Sequence, residues 1–198
     1  MKKSKFTIRV LAEIAIFAAL AFVLDVFQSG YSRGLFVNGG SIGLAMLPVL
    51  VISYRRGFLP GVLCGLIVSL LQLLSSPYII NGANYEGALQ VLSPFFQVML
   101  DYVLAYTVVG FAGAFAGAYA KSEEKGKKVL WVIVGCVFGG LLKYACHVIS
   151  GGLFWLDPSI NFLGVNGGTL WYSFVYNGLA AIPSIILCTS VMVILTVI

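Results

Sequence analysis

Charge is scarce in this chain. Of its 198 residues 10% are charged and 60% hydrophobic, with a mean hydropathy of +1.01, whereas a soluble domain carries roughly 25% charged residues. A water-soluble globule is excluded, and the class is a polytopic membrane protein. Histidine occurs once, at His147, so the paired spacings of a metal site are missing. The four cysteines, Cys64, Cys136, Cys146 and Cys188, stand singly in apolar stretches with no C-x-x-C. They offer neither a zinc site nor a disulfide framework and read as small packing residues. No G-x-x-x-x-G-K-[ST] run exists to cradle nucleotide phosphates, the nearest lookalike being Lys125-Gly-Lys-Lys128. Work driven by ATP would need another chain.

What is present divides into six apolar segments, and residues 1–198 form one integral-membrane domain. A helical span uses about 20 residues to cross a hydrocarbon core of about 30 Å. The first runs from about Phe6 to Phe27, longer than the apolar core of a signal peptide, so it is expected to be retained. The second, Ile42 to Tyr54, is short and ends at Arg55-Arg56-Gly57; the third covers Phe58 to Leu74. Pro94 stands where a helix start tolerates it, and the fourth segment runs from there to about Tyr119. The fifth spans Val129 to about Gly152 and the sixth runs from about Thr169 to the C-terminus. The expected fold is all-α, a six-transmembrane-helix bundle.

Lysine and arginine set its orientation, because short translocated loops lack them. With six spans, Lys2, Lys3, Lys5, Arg9, Arg55, Arg56, Lys121, Lys125, Lys127 and Lys128 all fall on one side, leaving Arg33 on the other. Both termini are therefore expected in the cytoplasm of a prokaryotic cell. The net charge of +5 expresses this bias and gives no support to nucleic-acid binding.

A few polar residues lie inside these segments. Asp101 falls seven residues after Pro94, about 10 Å below the outer helix end at about 1.5 Å per residue. Lys143 and His147 reach a similar depth on the fifth span, and their i,i+4 spacing puts them on one face. Tyr172 and Asn177 occupy the outer part of the sixth. A charge near the bilayer centre costs about 2.5 to 3.5 kcal/mol even on the lenient insertion scale, so Asp101 and Lys143 must face the bundle interior or a wet cavity. Two readings stand: an ion pair that fixes helix packing, or a pocket that also uses His147, Asn177 and nearby aromatics. Lys143 beside His147 favours a neutral imidazole. Of the aromatics, Trp155 suits the pocket, whereas Trp171 and Tyr176 suit the interfacial belt or the core.

Several blocks carry a family resemblance. They are Arg9-Val-Leu-Ala-Glu-Ile-Ala-Ile-Phe-Ala-Ala-Leu-Ala21, Tyr54-Arg-Arg-Gly-Phe58, Asp101-Tyr102 with Val109-Gly-Phe-Ala-Gly113, Lys143-x3-His147-x7-Trp155, and Tyr172-Ser-Phe-Val-Tyr-Asn177-Gly178. Over nearly its whole length the chain resembles the substrate-binding S components of energy-coupling-factor (ECF) vitamin transporters, most closely the thiamine-specific ones. The resemblance implies capture of thiamine from outside and partnership with a membrane-embedded coupling subunit and two cytoplasmic ATPases. It implies no cofactor and no enzymatic activity. It also implies that Asp101, Tyr102, Lys143, His147, Trp155, Tyr172 and Asn177 bind the substrate, hydrogen-bonding its aminopyrimidine, stacking on its rings and balancing its thiazolium charge. A carboxylate, a π face and amide or phenol groups suit such a cation chemically.

Two departures from the family stand out. Asp101 replaces the usual glutamate, one methylene longer, which leaves a related aminopyrimidine or another vitamin as alternative ligands. The Gly30 to Gly40 connection is longer, glycine-rich and lacks the family tryptophan, with Phe36 or Tyr31 as candidate replacements; it is either a lid or a flexible loop. In the first span, Ala15-x3-Ala19 resembles the alanine motif by which S components dock on the coupling subunit, although small residues also serve packing within one chain. A solitary secondary transporter would call for repeated halves and a coupling-ion site, and neither is visible. A membrane enzyme would have only Asp101 and His147 to work with.

Overall fold

The computed structural model describes residues 7–36, 39–75, 77–155, 161–162, 164–166 and 169–198. Lys2, Lys3 and Lys5 lie outside the described residues, as does part of the connection after Trp155. Helix α1 spans Ile8–Ser32, α2 Leu47–Arg56, α3 Phe58–Ser75, α4 Leu89–Lys121, α5 Lys125–Phe154 and α6 Leu170–Val197. Two short strands, β1 Asn161–Phe162 and β2 Val165–Asn166, pair antiparallel between α5 and α6. The ends follow local chemistry. The hydroxyls of Thr7 and Thr169 accept from Val10 and Tyr172 N–H to cap α1 and α6. Gly57, at φ +94°, breaks α2 from α3 in a conformation that side chains disfavour.

Five of the helices are long and apolar enough to cross a membrane; α2 is not. The second crossing is nevertheless made. The N–H of Ile42 is bonded at Ser32, that of Ala45 at Gln28, and Arg56 at Glu13, so residues 42–56 run beside α1 in the opposite direction. Ser32 to Glu13 is about 28 Å of helix at about 1.5 Å per residue, close to the hydrocarbon thickness of about 30 Å. The upper part of this crossing is irregular backbone, where the sequence pattern placed helix from Ile42. Such backbone persists at membrane depth only when protein groups satisfy it. Here Ser32 Oγ accepts from Ile42 N (3.2 Å), Ser184 Oγ from Gly43 N (3.1 Å) and Gln28 Oε1 from Ala45 N (3.0 Å). Gly43 sits so tightly on Gln28 and Tyr31 that a Cβ would collide with both.

Other boundaries differ from expectation in instructive ways. Helix α1 continues to Ser32, so Gly30 is helical and the connection begins at Arg33. Helix α4 starts at Leu89, which puts Pro94 inside it. Proline cannot donate to the carbonyl of Gln90, and Gly82, with no room for a side chain, packs directly against that carbonyl. Within α4 the turns widen to π-type over Met99–Leu104 and tighten to 3-10 type over Val108–Phe115.

Glycines set how closely these helices approach. Gly61 and Gly65 of α3 press on the backbone of α4 at Gly110 and Tyr106, while Gly113 presses on Phe58. From α5, Gly139 rests on the backbone of Val109. Lipid supplies no hydrophobic drive between helices, so close backbone packing of small residues is what holds them. All four cysteines are buried and free within this packing.

At one end of the bundle Glu13 accepts from Arg55 (3.1 Å) and Arg56 (2.6 Å) and lies 3.6 Å from Arg9. Lys128 lies over the Tyr119 ring, which meets Tyr54 edge-on, and Lys125 reaches the carbonyl of Val197. The basic residues of the described chain, Arg33 and Lys143 apart, therefore gather at this end, which the positive-inside bias assigns to the cytoplasm.

Replacing Gly110 with Ala should destabilise the protein by about 1–3 kcal/mol through overpacking against Gly61 and Val62. Gly126→Ala, whose Cβ meets nothing within 4 Å, should be neutral. Thermal unfolding in detergent compares the two, and equal melting temperatures would remove the close-packing account.

Candidate functional site

At the end away from the basic cluster, the bundle opens into a cavity of about 1160 Å³. Asp101, Tyr102, Lys143, His147, Trp155, Tyr172 and Asn177 all line it, brought together from α4, α5 and α6 and the start of the α5–α6 connection. Asp101 and Tyr102 sit on the π-type stretch of α4, a geometry that recurs at functional sites.

The Asp101 carboxylate gathers donors from three directions. Its Oδ2 accepts from Gln97 Nε2 (2.9 Å), one turn earlier on α4, and from Trp155 Nε1 (3.2 Å). Its Oδ1 lies 3.4 Å from His147 Nδ1, while His147 Nε2 is 3.3 Å from Lys143 Nζ. An ammonium only donates, so Nε2 is the acceptor and the imidazole proton sits on Nδ1, aimed at Asp101. Lys143 thus reaches Asp101 through a neutral histidine. The direct Asp101–Lys143 pair, one of the two readings of these charges, is not formed.

Lys143 instead lies over the ring of Tyr106, 4.7 Å from its centroid. The Tyr106 hydroxyl donates to Asp25 Oδ1 (2.8 Å), and Gln72 Nε2 donates to Asp25 Oδ2 (2.6 Å). Gln28, which holds Ala45, also donates to Asp25 (3.3 Å) and Ser41 (2.8 Å). The cavity therefore has a second carboxylate that the sequence pattern did not reveal. A first span drawn only to Phe27 left Asp25 two residues from its end, where a charge needs no special explanation. The available signal was Asp25 followed by Gln28 on one helix face. Gln97 was legible by the same rule, four residues before Asp101.

The aromatic residues divide in use. Tyr102 lines the cavity, but its hydroxyl accepts from Tyr78 N (2.7 Å) and donates to Tyr78 O (3.3 Å), bolting the α3–α4 connection to α4. Tyr78 in turn covers part of Trp155, with centroids 4.9 Å apart and planes inclined by 32°. Tyr172 stacks on Tyr176, against which Phe36 packs edge-on. Phe36 is thus buried at the cavity, while Tyr31 is exposed and donates to the carbonyl of Ile42. Trp171 is exposed and stacks on Phe174, as an interfacial residue does. Asn177 Nδ2 bonds Ser173 O (3.0 Å) and Oγ (3.1 Å), which leaves its amide oxygen unbonded among the described residues. Val37 and Asn38, in the middle of the glycine-rich connection, lie outside the described residues. No group of three or more His, Cys, Asp or Glu is gathered for a metal among the described residues.

On α1, Ala18 and Ala21 are buried, whereas Ala15 and Ala19 face outward. They share that outer surface with Ile8, Leu11 and Ile16.

With this geometry in hand, the comparisons with known proteins fall into one group. The family described as "Thiamine transporter protein" matches residues 11–198. The thiamine transporter ThiT of Bacillus subtilis (strain 168) is 34% identical, over 98% of this chain and 93% of that protein. ThiT of Lacticaseibacillus paracasei (strain ATCC 334) is 31% identical, over 95% and 87%. The solved structure of ThiT from Listeria monocytogenes superposes with a TM-score of 0.68 at 28% identity, over 94% of this chain and 92% of that one. These relatives are transporters and not enzymes, and together with the apolar helices they make this a multi-pass prokaryotic membrane protein. The chain belongs to the thiamine transporter protein family.

Proposed function

We propose that this protein captures thiamine in the cavity opposite its basic end and, as an ECF-type S component, passes it inward when docked on a coupling subunit that two cytoplasmic ATPases drive. The observation that carries the binding half is the Asp101 carboxylate at the cavity wall. It has about four acceptor directions, three of them used by Gln97, Trp155 and His147. The carboxylate can accept from the amino group of an aminopyrimidine as well, and its negative charge attracts a thiazolium. Trp155, Tyr172 and Tyr176 supply flat faces for the two rings, and the free amide oxygen of Asn177 supplies a further acceptor. Support for the docking half is the outward-facing pair Ala15 and Ala19, small residues on a helix surface that offer close approach to a partner helix.

Tryptophan fluorescence of the purified protein, titrated with thiamine, its pyrimidine and thiazole halves, riboflavin and pyridoxine, tests the ligand. Thiamine should bind most tightly. Asp101→Asn should weaken it by roughly 10- to 100-fold, the worth of a hydrogen bond to a charged group at about 1.5–3 kcal/mol. Preference for another vitamin, or no loss in the Asn variant, would overturn the thiamine assignment.

Ala15→Trp and Ala19→Trp should abolish uptake in cells carrying the coupling subunit and ATPases while leaving thiamine affinity of the isolated protein unchanged. Normal uptake by both variants would remove the docking surface.

A further inference from the structure

We propose that Asp25, a residue outside the expected binding set, is the counter-charge of Lys143, so that the cavity keeps one net negative charge for a cationic ligand. This rests on the thiamine reading above and deepens it.

Three charged groups stand in the interior wall of the cavity: Asp25, Asp101 and Lys143. A fourth, Arg33, is exposed at the chain turn after α1, where water screens it. The Lys143 ammonium has no carboxylate oxygen within 4.0 Å among the described residues. It is flanked instead by two neutral intermediaries, His147 toward Asp101 and Tyr106 toward Asp25. The Tyr106 ring presents its negative face to the ammonium, and a phenol that donates to a carboxylate gains electron density, which strengthens that attraction. Asp25 is fixed for the task, since Tyr106, Gln72 and Gln28 all donate to it. With Lys143 balanced from below, the Asp101 charge remains available to the ligand. If Asp101 alone answered Lys143, the wall would be neutral and a cation would gain little on leaving water.

Asp25 acts here as a positioning residue, so the readout is the ratio of affinities for thiamine and for its uncharged pyrimidine half. Wild type, Asp25→Asn, Asp25→Glu, Lys143→Met and the Asp25→Asn/Lys143→Met double variant are titrated side by side. The ratio should fall about tenfold in Asp25→Asn, stay near wild type in Asp25→Glu, rise in Lys143→Met and return toward wild type in the double variant, a shift of about one decade for one charge. A ratio that stays constant while both affinities fall together would make Asp25 a packing residue and overturn the proposal. Should Asp25→Asn fail to fold, an unchanged ratio in Lys143→Met overturns it equally. A wild-type protein that does not bind thiamine removes the thiamine reading itself, which is a different outcome from a bound ligand with an insensitive ratio.

Discussion

The controlling constraint is that a polar group inside the hydrocarbon layer must find its partner within the protein. An unsatisfied backbone group there costs several kcal/mol. That cost explains why the irregular upper part of the second crossing is tied at three successive points, from α1 through Ser32 and Gln28 and from α6 through Ser184. Gln28 serves two sides at once, its oxygen holding Ala45 and its nitrogen bonding Asp25 and Ser41. The backbone of the second crossing and the carboxylate network of the cavity are thus parts of one hydrogen-bonded unit. A wholly helical second span would have had no need of the Gln28 oxygen.

Close packing converts this constraint into a shaped site. Gly61 and Gly65 draw α3 onto α4 at Gly110 and Tyr106, and Gly139 draws α5 onto Val109. These contacts lie toward the basic side of the cavity residues, so the helices meet tightly there and part above. The π-type turn of α4 begins where they part, and it carries Asp101. Lys143 over Tyr106 lies at the transition, with glycine-packed backbone on one side and open cavity on the other. Rigidity below and space above come from the same helices.

How much of this was legible depends on the kind of signal. Span positions and the sidedness of charge are long-range averages over many residues, and small errors cancel, so the six crossings and the basic end emerge from hydropathy and lysine placement alone. Asp101, Lys143 and His147 were legible because a charge within an apolar segment is costly and helical periodicity puts i and i+4 on one face. Asp25 escaped because its segment was drawn to end two residues later. The helical start at Ile42 and the helix start at Pro94 failed for a different reason. Both are decided by tertiary partners outside the segment itself, side chains of α1 and α6 in one case and Gly82 in the other. The use of the Tyr102 hydroxyl by Tyr78 is likewise a contact across 24 positions, invisible to any local pattern.

The short side chain at position 101 bears on what kind of selectivity the cavity can have. A longer carboxylate on a flexible stem could follow a ligand; Asp101 cannot, because His147 from α5, Trp155 just beyond its end and Gln97 from α4 hold its two oxygens at 2.9 to 3.4 Å. The carboxylate position is therefore set jointly by two helices, and a ligand that bonds to it also reads their relative placement. Pre-organisation of this sort lowers the ordering cost of binding. It also means that the strength of the site depends less on reach than on charge, since a fixed acceptor gains from a cation only if the neighbouring ammonium is answered elsewhere. Asp25, three bonded partners deep in the same wall, stands where that answer is needed.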